Sequence, residues 1–291
     1  MHFTNVKGIL SARNGMNIYR GCTHGCIYCD SRSRCYQINH QFEDIEVKQN
    51  AAELLEESLV KKRKKCMIGT GAMCDPYMHC ESELGLMRRC LEIICRHGFG
   101  VAVQTKSNLI LRDMDLIEEI NRKAKAVVQI TLTTSDENLC RIIEPNVCTT
   151  RERTEILSEC RRRGIPTVVW LDPFLPFIND TEQNLRSLIE ICVQQKVHGI
   201  MCFAVGLTLR EGNREYFYSK LDRHFPGLKQ KYIQTYGNSY EVTSPENPRL
   251  MKILFSECEK AGIECRIEKV FEFLSTFPDE KQNIAQGEFE F

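Results

Sequence analysis

Between residues 50 and 205 the hydrophobic positions switch repeatedly between helical and strand-like spacing. Asn50 can cap a helix running to about residue 64, in which Leu54, Leu55, Leu59 and Val60 recur at helical spacing. A short apolar run over 66–70 reads as a strand. Residues 81–97 then place Leu84, Met87, Leu91 and Ile94 on one helical face, stopped by Gly98. Strand-like runs follow at 101–105, 126–133, 165–171 and 199–205, separated by helical patterns at 113–123, 150–163 and 181–195. Three helical patterns end at a glycine (Gly98, Gly164, Gly262) and pass straight into an apolar run, as short connections between a helix and the next strand require.

A first strand is expected near 16–20, after a lead-in over 1–15 with little periodicity, and residues 31–48 look irregular. Alternating strands and helices over such a length form a parallel sheet, which right-handed crossovers can curl into a barrel. The expected fold is therefore α/β, a partial (β/α)6 barrel over 16–240. A helix at 213–235 follows the sixth strand, and a helical C-terminal extension over 241–291 packs on the barrel, with helices at 246–261 and 268–277 and a short strand at 263–267. The stretch 280–291 has neither cap nor period and is expected to fray.

Composition narrows the setting. The 291 residues, 42% of them hydrophobic, suffice for a sizeable core, and 39 basic side chains balance 39 acidic ones. No global field gathers nucleic acid. Without an apolar leader or a membrane-length run, a cytoplasmic protein is expected. Sixteen cysteines scattered through helix-like and strand-like segments read as reduced thiols, and the pairs Cys74/Cys80, Cys140/Cys148 and Cys258/Cys265 as core packing.

Three cysteines are different. Cys22, Cys26 and Cys29 stand at spacing C-x3-C-x2-C in a glycine-containing loop, aiming three soft ligands at one point. An iron-sulfur cube held by three cysteines keeps one iron open, whereas structural zinc needs a fourth ligand, for which His24, Cys35 or His40 are available. The zinc alternative makes the chain a structural or interaction protein.

With Tyr28 just before the last cysteine, the motif resembles the signature of the radical S-adenosylmethionine (radical SAM) enzymes. The resemblance implies a radical SAM-type barrel and a [4Fe-4S] cluster whose open iron chelates S-adenosylmethionine. It also implies reductive cleavage to methionine and a 5′-deoxyadenosyl radical, with a reducing partner such as ferredoxin or flavodoxin. Sites of parallel βα folds lie at the carboxyl ends of the strands. The second-strand loop with Gly71, which lets backbone approach a ligand, then faces SAM, as do Lys106 of Thr105-Lys106-Ser107 and Thr131 and Thr133 of the fourth strand. Glu144-Pro145 is followed by Arg153 near a helix start, where a guanidinium can grip a carboxylate. This set, with Asp75-Pro76-Tyr77, Glu81 and the stretch 173–180, resembles the spore photoproduct lyase branch and its lyase-related members. By similarity Lys106, Thr131 and Arg153 contact SAM, and Cys74 on the second-strand loop is a candidate hydrogen donor to a substrate radical. The substrate classes left open are a DNA lesion, another nucleic acid, and a peptide or small metabolite.

The basic runs at 61–65 and 161–163 read as solvated caps at helix C-termini, on the face away from the cysteines. Trp170, Tyr216, Tyr218 and Tyr240 are candidates for lining a substrate cavity, with core packing the alternative reading.

Overall fold

The computed structural model describes residues 1–278, so the expected fraying of 280–291 lies outside the described residues. Six parallel strands form one sheet in sequence order: β1 (Gly15–Met16), β2 (Met67–Thr70), β3 (Gly100–Thr105), β4 (Ala126–Thr131), β5 (Thr167–Trp170) and β6 (Gly199–Met201). Five helices fill the crossovers, α1 (Ala51–Lys61), α2 (Leu86–Arg96), α3 (Met114–Lys123), α4 (Thr150–Arg162) and α5 (Glu182–Gln194), giving the expected partial barrel. The side of the sheet that bears Ile68, Val101, Val128, Val169 and Ile200 packs with Leu55, Leu91, Ile117, Ile156 and Leu188 of these helices.

Side chains alternate along a strand, and the opposite face grades from apolar to reactive. At its amino-terminal end Met67, Ala102, Val127, Val168 and Met201, one from each of five strands, bury Val270 and Leu274 of a helix over Ile267–Ser275. Two residues further along, Gln129 accepts a hydrogen bond from the indole of Trp170 (3.0 Å). Two residues beyond that stand Thr131 and Asp172, and Lys106 holds the same place on β3.

Several elements differ from expectation. Residues 16–20 divide between two sheets: Gly15–Met16 edges the barrel, while Tyr19–Arg20 pairs antiparallel with Glu46–Lys48, which itself pairs parallel with His2–Thr4. The helix expected over 81–97 breaks at Gly85, which is left-handed (φ 58°), into Glu81–Leu84 and α2. Asn50 does not cap α1 with its side chain, which instead bonds both backbone groups of Val6. The pattern over 213–235 divides at Gly227 into Asn213–His224 and Leu228–Tyr236, and 263–267 contributes one bridge, Glu264 to Gly199, where a strand was expected. Helix Glu137–Ile143 was not foreseen.

Candidate active site

The cysteine loop is fastened at both ends. Tyr19, at its entry, donates its hydroxyl to the fully buried carboxylate of Glu81, which also pairs with Arg112 (2.7 Å) and accepts the Met87 N–H. Gly21 is left-handed (φ 84°), and a Cβ there would stand 2.5 Å from the carbonyl oxygen of Phe42. That carbonyl accepts the N–H of Cys22 (2.8 Å). On the far side the N–H of Ile27 donates to Ile143 (2.9 Å) and that of Asn146 to the His24 carbonyl (3.1 Å). The unforeseen helix Glu137–Ile143 thus holds the middle of the loop.

Cys22, Cys26 and Cys29 line one small cavity of about 110 Å³ together with Gly71, Lys106 and Thr131. Burial pushes the Cys26 thiol up to about 12 against the opposing pull of Lys106, and burial followed by the neighbouring Cys26 and Cys29 raises Cys22. Buried thiols of this kind ionise readily only beside a cationic centre, which is what a metal cluster supplies. Their spread fits a cluster better than one ion. Thiolates on a single tetrahedral zinc, with bonds of ~2.3 Å, sit about 3.8 Å apart. Among the described residues the only trio of metal-ligating side chains whose ligand atoms converge within 4.8 Å is His2, His40 and Glu46, not the cysteines. Thiolates that each bind a different iron of a cube stand further apart, and at least one pair of these three sulfurs lies beyond that 4.8 Å span. Of the fourth ligands considered for zinc, Cys35 is exposed beside Arg210 and His40 faces Glu46, both outside the cysteine cavity, while His24 lines that cavity as an imidazole held neutral by burial, its pKa lowered to about 4.

The wall facing the cysteines is built by the second- and third-strand loops. Gly71 (φ 98°) crosses so close to β3 that a Cβ would lie 1.9 Å from the Gln104 carbonyl oxygen. Asp75 clamps this loop to the end of β3, accepting from the Thr105 hydroxyl (2.7 Å), the Lys106 N–H (2.8 Å) and the Tyr77 N–H (2.9 Å). Burial alone would lower the Lys106 ammonium, but Cys26 and Glu144 more than offset it and hold its pKa above the usual value. The ammonium makes no hydrogen bond or ion pair with the described residues, so it is available to a ligand. Cys74 is buried and donates its S–H to the Gly21 carbonyl (2.8 Å) beside Cys22. It lines the cysteine cavity and a second small one, not the larger cavity described below.

Arg153 has a different environment from the one expected. It is fully buried, and the carboxylate it grips is Glu144 of its own chain (2.8 Å), with further bonds to the carbonyls of Thr131 (3.0 Å) and Cys148 (2.9 Å). Glu144 also accepts the hydroxyls of Tyr28 and Thr133 (3.1 Å). Burial opposes ionisation of Glu144, but Arg153 and then Lys106 hold its carboxyl below the usual range. Tyr28, Thr133 and Arg153 therefore meet on Glu144, Tyr28 also lining the larger cavity that adjoins the cysteines, while Lys106, Thr131 and Gly71 face the cysteine cavity.

The cysteine cavity adjoins a larger one of about 680 Å³, with Cys29, Ser31, Ala72, Met73 and Lys106 common to both. Its chemistry-bearing lining comprises Asp30, Asp172, Glu241, Trp170, Phe203 and Tyr36. Of the aromatics considered from sequence, Trp170 is here; Tyr216 and Tyr240 lie against Arg32 and Arg210, and Tyr218 packs in the core around Tyr232. Asp172 was missed. Burial pushes its carboxyl up to about 7, with Lys106 opposing. It was findable, since Val168, Trp170 and Asp172 follow the two-residue period at a strand end. A cavity of about 930 Å³ lies at the opposite end of the strands, beside Lys125, Pro166 and Phe273, away from these groups.

The sequence model of the Radical SAM superfamily matches residues 16–189. An uncharacterised protein of Mycobacterium tuberculosis is 29% identical over 240 residues, covering 78% of this chain and 68% of that protein. One of Methanocaldococcus jannaschii is 27% identical over 245 residues, covering 82% and 83%. Among solved structures, a spore photoproduct lyase variant with bound AdoMet and dinucleoside spore photoproduct superposes with a TM-score of 0.62 at 11% identity, over 85% of this chain and 73% of that one. The radical S-adenosylmethionine methyltransferase TsrM of Kitasatospora setae, with tryptophan and a SAM analogue, gives 0.53 at 12%, over 86% and 52%. At these identities the structural likenesses are likenesses of fold.

Proposed function

The chain belongs to the radical SAM superfamily, whose members use a [4Fe-4S] cluster and S-adenosylmethionine, and from that premise we propose that it abstracts hydrogen from a compact neutral or cationic substrate held in the acid-lined cavity beside the cluster. Cys22, Cys26 and Cys29 would hold the cluster through three irons. When bound, the cluster and SAM supply a 5′-deoxyadenosyl radical. The chain's own residues orient and shield. Lys106 and Thr131 offer an ammonium and a hydroxyl to the SAM carboxylate and ribose, and Gly71 lets the second-strand loop approach. Glu144, Thr133 and Arg153 hold the cluster loop in register through Tyr28, which also lines the larger cavity. An external one-electron donor of the ferredoxin or flavodoxin kind completes the system.

The observation that carries the substrate reading is the sign of the charge around the larger cavity. Asp30 and Glu241 line it, with Asp172 as a third carboxyl that burial raises to about 7, against the single lining cation Lys106, and Trp170 and Phe203 are flat apolar surfaces. Carboxylates repel a phosphodiester backbone, and nucleic-acid grooves are basic. A dinucleoside lesion, the ligand of the lyase structures, is the second reading, favoured only by the shared fold. The two separate in one assay, the formation of 5′-deoxyadenosine by the reduced, cluster-loaded enzyme with and without ultraviolet-irradiated spore-type DNA. No stimulation is expected; a tenfold or greater stimulation would establish the lesion and overturn the reading.

A further inference from the structure

We propose that His2, His40 and Glu46 form a binding site for a divalent transition-metal ion, separate from the three-cysteine centre. The three side chains bring one ligand atom each to within 4.8 Å of one another. His2 lies directly opposite Glu46 in the parallel pairing of His2–Thr4 with Glu46–Lys48, so the sheet itself sets these two side by side. His40 comes from the connection between the cysteine loop and that sheet, and its ring meets that of His2 edge to face at 4.8 Å.

The hydrogen bonds around the two imidazoles fix which nitrogens are left for an ion. The Nδ1 of His2 is bonded to the Asp44 carboxylate (2.9 Å) and the Nδ1 of His40 to the Gln41 carbonyl (2.9 Å). Each neutral ring then carries its proton on Nδ1 and keeps a lone pair on Nε2. Ligating histidines are held in this way, the second nitrogen donating to a carboxylate or carbonyl. The Nε2 of His40 is buried without a hydrogen-bond partner among the described residues, a costly arrangement that an ion relieves. It stands 3.7 Å from Oε2 of Glu46, too long for a hydrogen bond. Two donors on one tetrahedral zinc stand ~3.4 Å apart, so the pair needs to close by only a few tenths of an ångström. Two imidazoles and a carboxylate suit zinc, copper or nickel, with solvent completing the coordination.

The site would also brace the cysteine loop. His40 and Glu46 bracket Phe42, whose carbonyl receives the N–H of Cys22, so an ion joining them fastens both ends of the stretch that holds the first cysteine.

The test uses the full chain with its cluster loaded, dialysed anaerobically against micromolar Zn²⁺, with zinc and iron both counted by elemental analysis. The wild type is expected to hold one zinc per chain more than His40→Ala or Glu46→Gln, with iron unchanged in all three. Asp44→Asn should weaken that zinc by about 10–100-fold. His2→Ala, on the edge strand, provides the comparison if either of the first two variants fails to retain iron. Equal zinc in wild type and variants, or no zinc in the wild type while iron is present, overturns the proposal without touching the reading of the cysteine site.

Discussion

Asp172 sits where a carboxyl near neutrality has most effect, at a strand end, in the larger cavity, on the face that also carries Trp170. Its folded pKa of about 7 lies above the unfolded value of about 3.9, and the cause is burial. The unfolded chain therefore releases this proton at lower pH than the fold does. Its contribution to stability is complete below about pH 4, falls as pH rises through the window, and is gone above about 7. Asp172→Asn removes that dependence. In thermal melts from pH 5 to 8 the melting temperature of Asp172→Asn minus that of the wild type should rise with pH and level off above 7; a difference that stays flat contradicts the assignment. Cys74 poses a different question, since its S–H is bonded to Gly21 beside the cluster loop and it does not line the larger cavity. If it serves as hydrogen donor, Cys74→Ala leaves SAM cleavage intact and diverts or abolishes the substrate product. An unchanged product disposes of that role.

At the scale of elements, the Glu144–Arg153 pair joins the cysteine loop, the end of β4 and α4, and it does so with both partners fully buried. Removing one partner of a buried pair strands the other charge, at about 3–5 kcal/mol. Arg153→Met should lower stability by that amount in denaturant melts, and adding Glu144→Gln should recover part of it; a double variant as unstable as the sum of the singles contradicts a direct coupling between the two charges. The elements also show what a sequence can disclose. β3 to β5 and their helices were legible because buried strands and one-faced helices repeat their hydrophobic period over several residues. The split of 16–20 was not, because its two strands have two residues each and no period. Gly85 was hidden inside an unbroken helical pattern, and Glu137–Ile143 is too short to show one. Arg153 was read as facing a ligand because an arginine at a helix start looks the same whether its carboxylate is bound or its own. Which reading holds depends on Glu144, nine residues earlier, and on burial that spacing does not reveal.

Across the whole molecule, the barrel grades from the apolar cluster over Val270 and Leu274, through Gln129 and Trp170, to the layer of Lys106, Thr131 and Asp172 beneath the cysteine loop. The balance of 39 basic and 39 acidic residues is uneven locally: the cationic runs lie at or beyond the ends of α1 and α4, while carboxylates line the cavity beside the cysteines. No helix among the described residues is long and apolar enough to cross a membrane. The central claim is that three cysteines hold an open-iron cluster which works on SAM, and the most direct measurement is anaerobic reconstitution followed by reduction with SAM present. Four irons per chain and 5′-deoxyadenosine formation, both lost in Cys26→Ala, are the expected result. Zinc bound by Cys22, Cys26 and Cys29, with SAM left intact after reduction, would contradict it.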